Sequence, residues 1–312
     1  MENGVTAAWV KLGIELAAEA IRRAGMLGNA AGAQVAARRE ETADSSRYWD
    51  PEILRIDKEI EDYYIEQLAE RGIDAVVLSE EAGRVKVEPR CAPEVEYDRP
   101  VYFISDPFDG SILYKRGITA FWFSALAVYT RPVRPELADS LVSVVVNCND
   151  RSVVFSGGRG AFEGRLDKDG KLVDWHTITP NSTEQLADAF LETYLMKPVY
   201  MYPAVEKFKF LFRDVKFILP NGGPSGFCDV ASGKVDVYLA YRQPFTDIFP
   251  GIAIAERAGC SVSTFEGQRV VFGEDHTRRC NVVCSANPKL HRRLLDTLKA
   301  NGITDSTGQN DE

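Results

Sequence analysis

Val101-Tyr102-Phe103-Ile104-Ser105-Asp106-Pro107-Phe108-Asp109-Gly110-Ser111 decides how the rest of this chain is read. A short apolar run, strand-like in its residues, ends on two carboxylates three positions apart. Such a pair converges on a hard cation if the backbone turns sharply between its members. Pro107 sets one φ angle, and Gly110 can adopt conformations closed to other residues. Gly110 also leaves the N–H groups of Gly110 and Ser111 open to an oxyanion, above all if a helix starts there. By itself the hexapeptide Asp106–Ser111 also reads as an acidic surface turn.

Upstream, Ala75-Val76-Val77-Leu78 reads as a second short strand ending on Ser79-Glu80-Glu81. Side chains alternate along a strand, so one of the two glutamates is expected on the side of the aspartates. A helix is expected from Asp50-Pro51, a good N-cap and first helical residue, through Ile53, Ile56, Ile60 and Ile65 to Arg71-Gly72. Asp57 lies within it. Residues 5–38 carry Trp9, Leu12, Leu16 and Ala20 on one stripe and predict a long amphipathic helix, weakened in its second half by Gly25, Gly28 and Gly32. Residues 40–47 read as a loop.

Downstream, strands are expected at 120–129, 141–147, 152–156 and 161–165, with a turn at Gly157, Gly158 and Gly160. From about residue 181 helices and strands alternate: helices at 183–188, 203–212, 224–232, 247–258 and 287–299, strands at 189–194, 215–219, 235–240 and 281–285. The expected division is an N-terminal α+β half over 1–180, an α/β half over 181–300 and a frayed tail over 301–312. Asp247 falls between a strand and an apolar helix, in Pro244-Phe245-Thr246-Asp247-Ile248-Phe249-Pro250-Gly251, where an N-cap is the ordinary reading.

Of the 312 residues 45% are hydrophobic and 27% charged, which suits a globular chain with a substantial core. The net charge of −9 argues against a nucleic-acid or anionic-membrane surface, since those partners need a basic patch. It does not argue against an anionic ligand, because cations held by clustered carboxylates reverse the local sign. Six cysteines without a CxxC pair read as reduced thiols. His176, His276 and His291 are too dispersed for a histidine-rich metal site. No stretch approaches the roughly 18 apolar residues of a membrane span, and no signal-peptide pattern opens the chain, so a cytoplasmic protein is expected.

The order of the acidic residues carries a resemblance. Asp57 in a helix, Glu80 at a strand end, the Asp106/Asp109 turn and Asp247 at a helix start resemble the metal-ligand series of the inositol-monophosphatase/fructose-1,6-bisphosphatase superfamily. Arg159-Gly160-Ala161-Phe162, Ala231-Ser232-Gly233-Lys234-Val235-Asp236 and the helix ending in Glu256-Arg257-Ala258-Gly259 are similar to other motifs of that superfamily. The resemblance implies a layered αβαβα sandwich of the α/β class, a homodimer, and two or three Mg²⁺ per subunit. By position it implies one Mg²⁺ on Glu80, Asp106 and the Phe108 carbonyl, a second on Asp106, Asp109 and Asp247, and a weaker third involving Asp57 and Glu80. Catalytic roles would fall to Glu80, Ser111 and Asp57, and phosphate binding to Gly110 and Ser111. Tyr114, Gly223, Ser225, Tyr241 and Arg242 are candidate contacts to the remainder of the substrate.

The sequence also departs from the family. Ile112-Leu113-Tyr114 follows Ser111 in place of Thr or Ser and then Asn, Thr246 replaces a Trp, and Pro250-Gly251 replaces a small, Ala-rich run. Asn221-Gly222-Gly223-Pro224-Ser225-Gly226 stands where a substrate-contacting Gly-Ser/Thr-Ala-Ala stretch is usual, and Ala240 where animal inositol monophosphatases carry a hydroxyl-binding Glu. The expected activity is hydrolysis of a phosphate monoester of a small polyol or sugar. The alternatives are a catalytically weak member that binds phosphorylated metabolites or a protein partner, and a 3′-nucleotidase-type phosphatase.

Overall fold

The computed structural model describes residues 4–27, 34–37, 52–93, 97, 100–131, 139–158, 160–271 and 279–308. Helix α1 (Gly4–Leu27) ends one residue before Gly28, and 34–37 is not its continuation. Strand β1 (Gln34–Ala37) pairs instead with β2 (Glu52–Leu54), antiparallel. The expected helix from Asp50 thus begins later, as α2 (Arg55–Glu70). Asp50, Pro51, the loop 40–47, Arg159 and His276 lie outside the described residues.

An eight-stranded sheet follows, in the order β10-β9-β8-β7-β6-β5-β3-β4. Its members are β3 (Ala75–Ser79), β4 (Gly83–Val87), β5 (Val101–Asp109), β6 (Phe123–Tyr129), β7 (Ser140–Asn147), β8 (Ser152–Gly157), β9 (Gly160–Leu166) and β10 (Leu172–Thr177). β3 and β5 run parallel. Helix α3 (Ser111–Lys115) follows β5 directly. The second sheet has the order β12-β11-β13-β15-β14, from β11 (Phe190–Glu192), β12 (Phe217–Leu219), β13 (Val237–Pro244), β14 (Ser261–Thr264) and β15 (Arg279–Ser285). Around it lie α4 (Pro198–Asp214), α5 (Pro224–Ala231), α6 (Phe245–Ala258) and α7 (Pro288–Ala300).

Strand alternation builds the layers. Val77, Phe103 and Leu126 face α1 and α2, packing with Leu16, Ile56, Ile60 and Tyr64. Their neighbours Leu78, Ile104 and Ala127 face the other way, onto Phe227, Phe249 and Ile252 of α5 and α6, which also pack against Tyr238, Ala240 and Val282 of the second sheet. The far face of that sheet, with Val237, Leu239 and Val283, is covered by Phe208 and Leu211 of α4 and Leu290, Leu294 and Leu298 of α7. The result is an α/β sandwich of five layers, αβαβα, as expected.

The differences from expectation fall where local signals are weakest. β4, β10 and β14 were not anticipated; each lies at or next to a sheet edge and has few residues committed to the core. The segment expected as a helix at 183–188 forms only a 3₁₀ turn at Leu186–Asp188. The tail is not frayed through 308: Asn281 Nδ2 donates to the carbonyls of Asp305 and Thr307 at 2.9 and 2.8 Å, and Ile303 is buried. Residues 309–312 lie outside the described set.

Candidate active site

The parallel pair β3–β5 delivers the first two carboxylates. Ser79 stands opposite Ser105, and the Glu80 N–H donates to the Ser105 carbonyl at 3.3 Å, so Glu80 and Asp106 are the next residues of one register. By alternation both fall on the face of Leu78 and Ile104, toward α6. There Asp247 sits in the first turn of the helix. It is not the N-cap, because α6 starts two residues earlier, at Phe245, whose ring is fully buried. Ligand oxygens of Glu80, Asp106 and Asp247 lie within 4.8 Å of one another although the residues span most of the chain.

The turn between Asp106 and Asp109 is a bulge. Asp106 stands opposite Ala125 and Asp109 opposite Phe123, so β5 carries one residue more than β6 over that interval. Pro107, without an N–H, falls where the ladder is already interrupted. The Asp106 carboxylate accepts from the Phe108 N–H at 3.1 Å, tying the bulge to the ligand it carries. Gly110 follows with φ 91°, and a Cβ there would come within 2.1 Å of the Phe121 carbonyl oxygen, so no other residue fits.

A cavity of about 220 Å³ is lined by Asp57, Glu80, Asp109, Ser111, Gly223 and Asp247, among others, with Asp106 buried beneath. Phe108 also lines it, yet its ring is buried against Tyr114, so the backbone is what it presents. Asp57, in the first turn of α2, is 4% exposed. Glu81 lines the cavity as well as Glu80, since β3 ends at Ser79 and strand alternation no longer separates them. Asp109 falls outside the close group of three but borders the same space.

The electrostatics are those of unneutralised like charges. Burial first, then Glu80, Asp247, Asp109 and Asp57, push the Asp106 carboxyl well above the usual carboxylate range. Asp247 is raised by burial, Glu80 and Asp109, against the opposing pull of Arg279 and of the Thr246 hydroxyl. Burial and Glu80 push Asp109 up to about 7, while Lys197 and a hydrogen bond from the Gly110 N–H act in the other direction. That N–H therefore serves the Asp109 carboxylate, in addition to any role toward a phosphate. An all-oxygen donor set of buried, mutually repelling carboxylates fits a hard divalent cation such as Mg²⁺.

Four candidate substrate contacts are misplaced. Tyr114 does not line the cavity: its hydroxyl donates to the Ala24 carbonyl and its ring packs between Phe108 and Trp122. Tyr241 is buried in the outer core, edge-on to Phe208. Arg242 does not line the cavity; it bends through φ 53°, and its carbonyl accepts from Arg279 Nη1 at 3.0 Å. Ser225 is buried beneath the cavity wall and donates to the Gly222 carbonyl at 3.1 Å. Gly223 lines the cavity, with φ 75° and so close to Asp109 that a Cβ would lie 2.7 Å from its Oδ2.

Other residues escaped sequence reasoning. Lys197, Tyr194, Tyr200, Asn221, Gln243 and Arg279 line the cavity. Arg279 is held by the Tyr200 hydroxyl at 2.7 Å and by the Arg242 carbonyl. Glu61, one turn beyond Asp57, accepts from the Ser79 hydroxyl and from the Ala82 N–H at 2.9 Å, bracing the turn that carries Glu80. Its i, i+4 spacing from Asp57 was the available signal; Lys197 and Arg279 offered none.

A strand-end acidic cluster beside a glycine-rich wall, in a five-layered sandwich, defines the class of protein to which metal-dependent phosphatases of this fold belong. The comparisons make the family specific. The chain belongs to the inositol monophosphatase family, whose model matches residues 13–302. It is 26% identical over 204 residues to a fructose-1,6-bisphosphatase/inositol-1-monophosphatase of Archaeoglobus fulgidus, covering 64% of this chain and 70% of that one. It is 26% identical over 258 residues to an inositol-1-monophosphatase of Aeropyrum pernix, covering 80% and 86%. The fold matches the extragenic suppressor protein suhB of Bartonella henselae with a TM-score of 0.68 at 18% identity, covering 93% of this chain and 97% of that one.

Proposed function

We propose that this chain is a Mg²⁺-dependent phosphatase that hydrolyses a phosphate monoester of a small polyol or sugar, inositol monophosphate-like or fructose-1,6-bisphosphate-like. The observation that carries the reading is the convergence of Glu80, Asp106 and Asp247 within 4.8 Å, with Glu80 and Asp247 lining a cavity. Glu80, Asp106, Asp109, Asp247 and the Phe108 carbonyl would hold two Mg²⁺, with Asp57 contributing to a weaker third. Bound there, the ions would supply charge to the ester and lower the pKa of water. Ser111 and Glu80 orient the attacking water, and the Gly110 and Ser111 N–H groups receive a phosphate oxygen. Asp247 passes a proton through water to the departing oxygen. Lys197 and Arg279 add positive charge on the cavity wall.

A cytoplasmic homodimer without nucleic-acid or membrane partners completes the proposal; no described helix is long and apolar enough to cross a membrane. Ile112 and Leu113, apolar residues lining the cavity beside Ser111, favour a second reading: a weakly catalytic member that binds phosphorylated metabolites or a protein partner. Phosphate release from inositol 1-phosphate, fructose 1,6-bisphosphate and nucleotide 3′-phosphates, with and without Mg²⁺, separates the two. Release that is Mg²⁺-dependent and lost in a chelator supports the phosphatase. Silence on every ester, with retained binding of the phosphorylated compounds, supports the second reading.

A further inference from the structure

Behind the cavity wall stands a second pair of acids, Glu192 and the partly buried Asp229. Glu192 on β11 is fully buried, and its Oε1 accepts from Asn221 Nδ2 at 3.0 Å. Its Oε2 is buried as well, with no donor group on it. The Asp229 carboxyl of α5 stands beside it, with Lys234 Nζ 3.6 Å from Asp229. Burial and the Asp229 charge push the Glu192 carboxyl well above the usual carboxylate range, so Glu192, the deeper of the two, is the one that keeps a proton.

Asn221 stands between this pair and the cavity, which it lines although only 3% exposed. Both its amide hydrogens are engaged, one on Glu192 Oε1 and the other on Ser225 Oγ at 3.1 Å. The hydrogen-bond chain sets the direction of the amide. Ser225 gives its one hydroxyl hydrogen to the Gly222 carbonyl, so toward Asn221 it can only accept. Glu192 Oε1 accepts from the amide as well. A flipped amide would set its oxygen against acceptors. Asn221 Oδ1 is thus left as an acceptor, and among the described residues no donor reaches it.

We propose that Asn221 is a specificity-determining residue whose amide oxygen accepts a hydrogen bond from a hydroxyl of the substrate, with Glu192 as the residue that positions it. The inference rests on the phosphatase reading and narrows it: the preferred ester carries hydroxyl groups on its leaving part. An ester without them leaves a buried acceptor unmatched, which sites of this kind reject strongly.

The test compares inositol 1-phosphate and fructose 1,6-bisphosphate with p-nitrophenyl phosphate, which has no hydroxyl on its leaving group. Asn221→Ala should lower kcat/KM on the better polyol ester by roughly 10- to 100-fold, mainly through KM, and leave p-nitrophenyl phosphate within about 2-fold. Glu192→Gln accepts from Asn221 and is uncharged as the protonated acid is, and should behave as wild type. Glu192→Leu should reproduce Asn221→Ala, with melting temperatures reporting on folding. Equal losses on all esters, or none, in Asn221→Ala would overturn the inference, as would a loss of polyol preference in Glu192→Gln. A wild-type protein that hydrolyses none of the esters removes the phosphatase reading and this inference with it.

Discussion

Glu80, Asp109 and Asp247 line the cavity with Asp106 buried beneath them, whereas Glu192 and Asp229 stand behind its wall, and the two groups answer the same electrostatic problem differently. Buried carboxylates cannot all be ionised without compensating charge. The pair behind the wall is compensated by a Glu192 carboxyl raised by burial and by the Asp229 charge, by the Lys234 ammonium and by the Asn221 amide, all supplied by the chain itself. The open group has only partial help from Lys197 and Arg279. Its remaining charge calls for ions from solution. Closed polar networks hold geometry; incomplete ones bind.

The comparison is most sharply tested by neutralising one member of each group. Asp109→Asn removes a charge from the proposed second metal site, and kcat should fall by at least about 100-fold, on the order of 3 kcal/mol of transition-state stabilisation. Asp57→Asn should lose less, and Glu192→Gln almost nothing. Steady-state kinetics at saturating Mg²⁺ orders the three; a wild-type kcat in Asp109→Asn would mean that the open group is an acidic loop and not a catalytic centre.

Metal removal gives the next largest effect. A ligand present at 100 times its Kd adds about 2.7 kcal/mol to stability, so Mg²⁺ should raise the melting temperature by roughly 5 °C. Asp106→Asn should abolish most of that shift, while Glu192→Gln should keep it. Glu61→Leu, which removes the acceptor for the Ser79 hydroxyl and Ala82 N–H, should shrink it by loosening the Glu80 turn. A full shift in Asp106→Asn would place the ions elsewhere.

The pH dependence of the metal-free protein is smaller and has a defined sign. Asp109 titrates near 7 in the folded chain against 3.8 as its ordinary value. The native state therefore binds more protons than the unfolded one across that window, and stability falls as pH rises through it. His291, wedged between Ser263 and Ser285, is pushed by burial down to about 4 from 6.5, so its contribution runs the other way: stability rises with pH between 4 and 6.5. The two oppose each other below pH 6.5, and only the carboxylates act just above it. Chemical denaturation at pH 6.5 to 7.5 should show declining stability in chelator and a flat profile in Mg²⁺. His291→Gln should flatten the acid limb alone.

Much of this site was legible in the residues themselves. The Asp106–Ser111 turn announces itself because a proline, two carboxylates and a glycine each have a local backbone consequence, seen in the bulge after Asp106 and the φ of 91° at Gly110. Strand ends at Glu80 and Asp106 follow from apolar runs and their alternation; the order of elements gives an α/β half after an N-terminal α+β half, and the five layers came only with the family resemblance. What the sequence could not settle is which side chains meet across the cavity. Tyr114, Ser225, Tyr241 and Arg242 are adjacent in sequence to the site yet turn into the core, the wall or the backbone network. Lys197 and Arg279, ordinary cations by composition, are carried into the cavity by the start of α4 and the first residue of β15. The direction of the Asn221 amide belongs to the same class of fact. Local conformation is decided by neighbours along the chain, but a pKa or a direction of hydrogen bonding is decided by neighbours in space, and only packing two sheets around α5 and α6 brings those together.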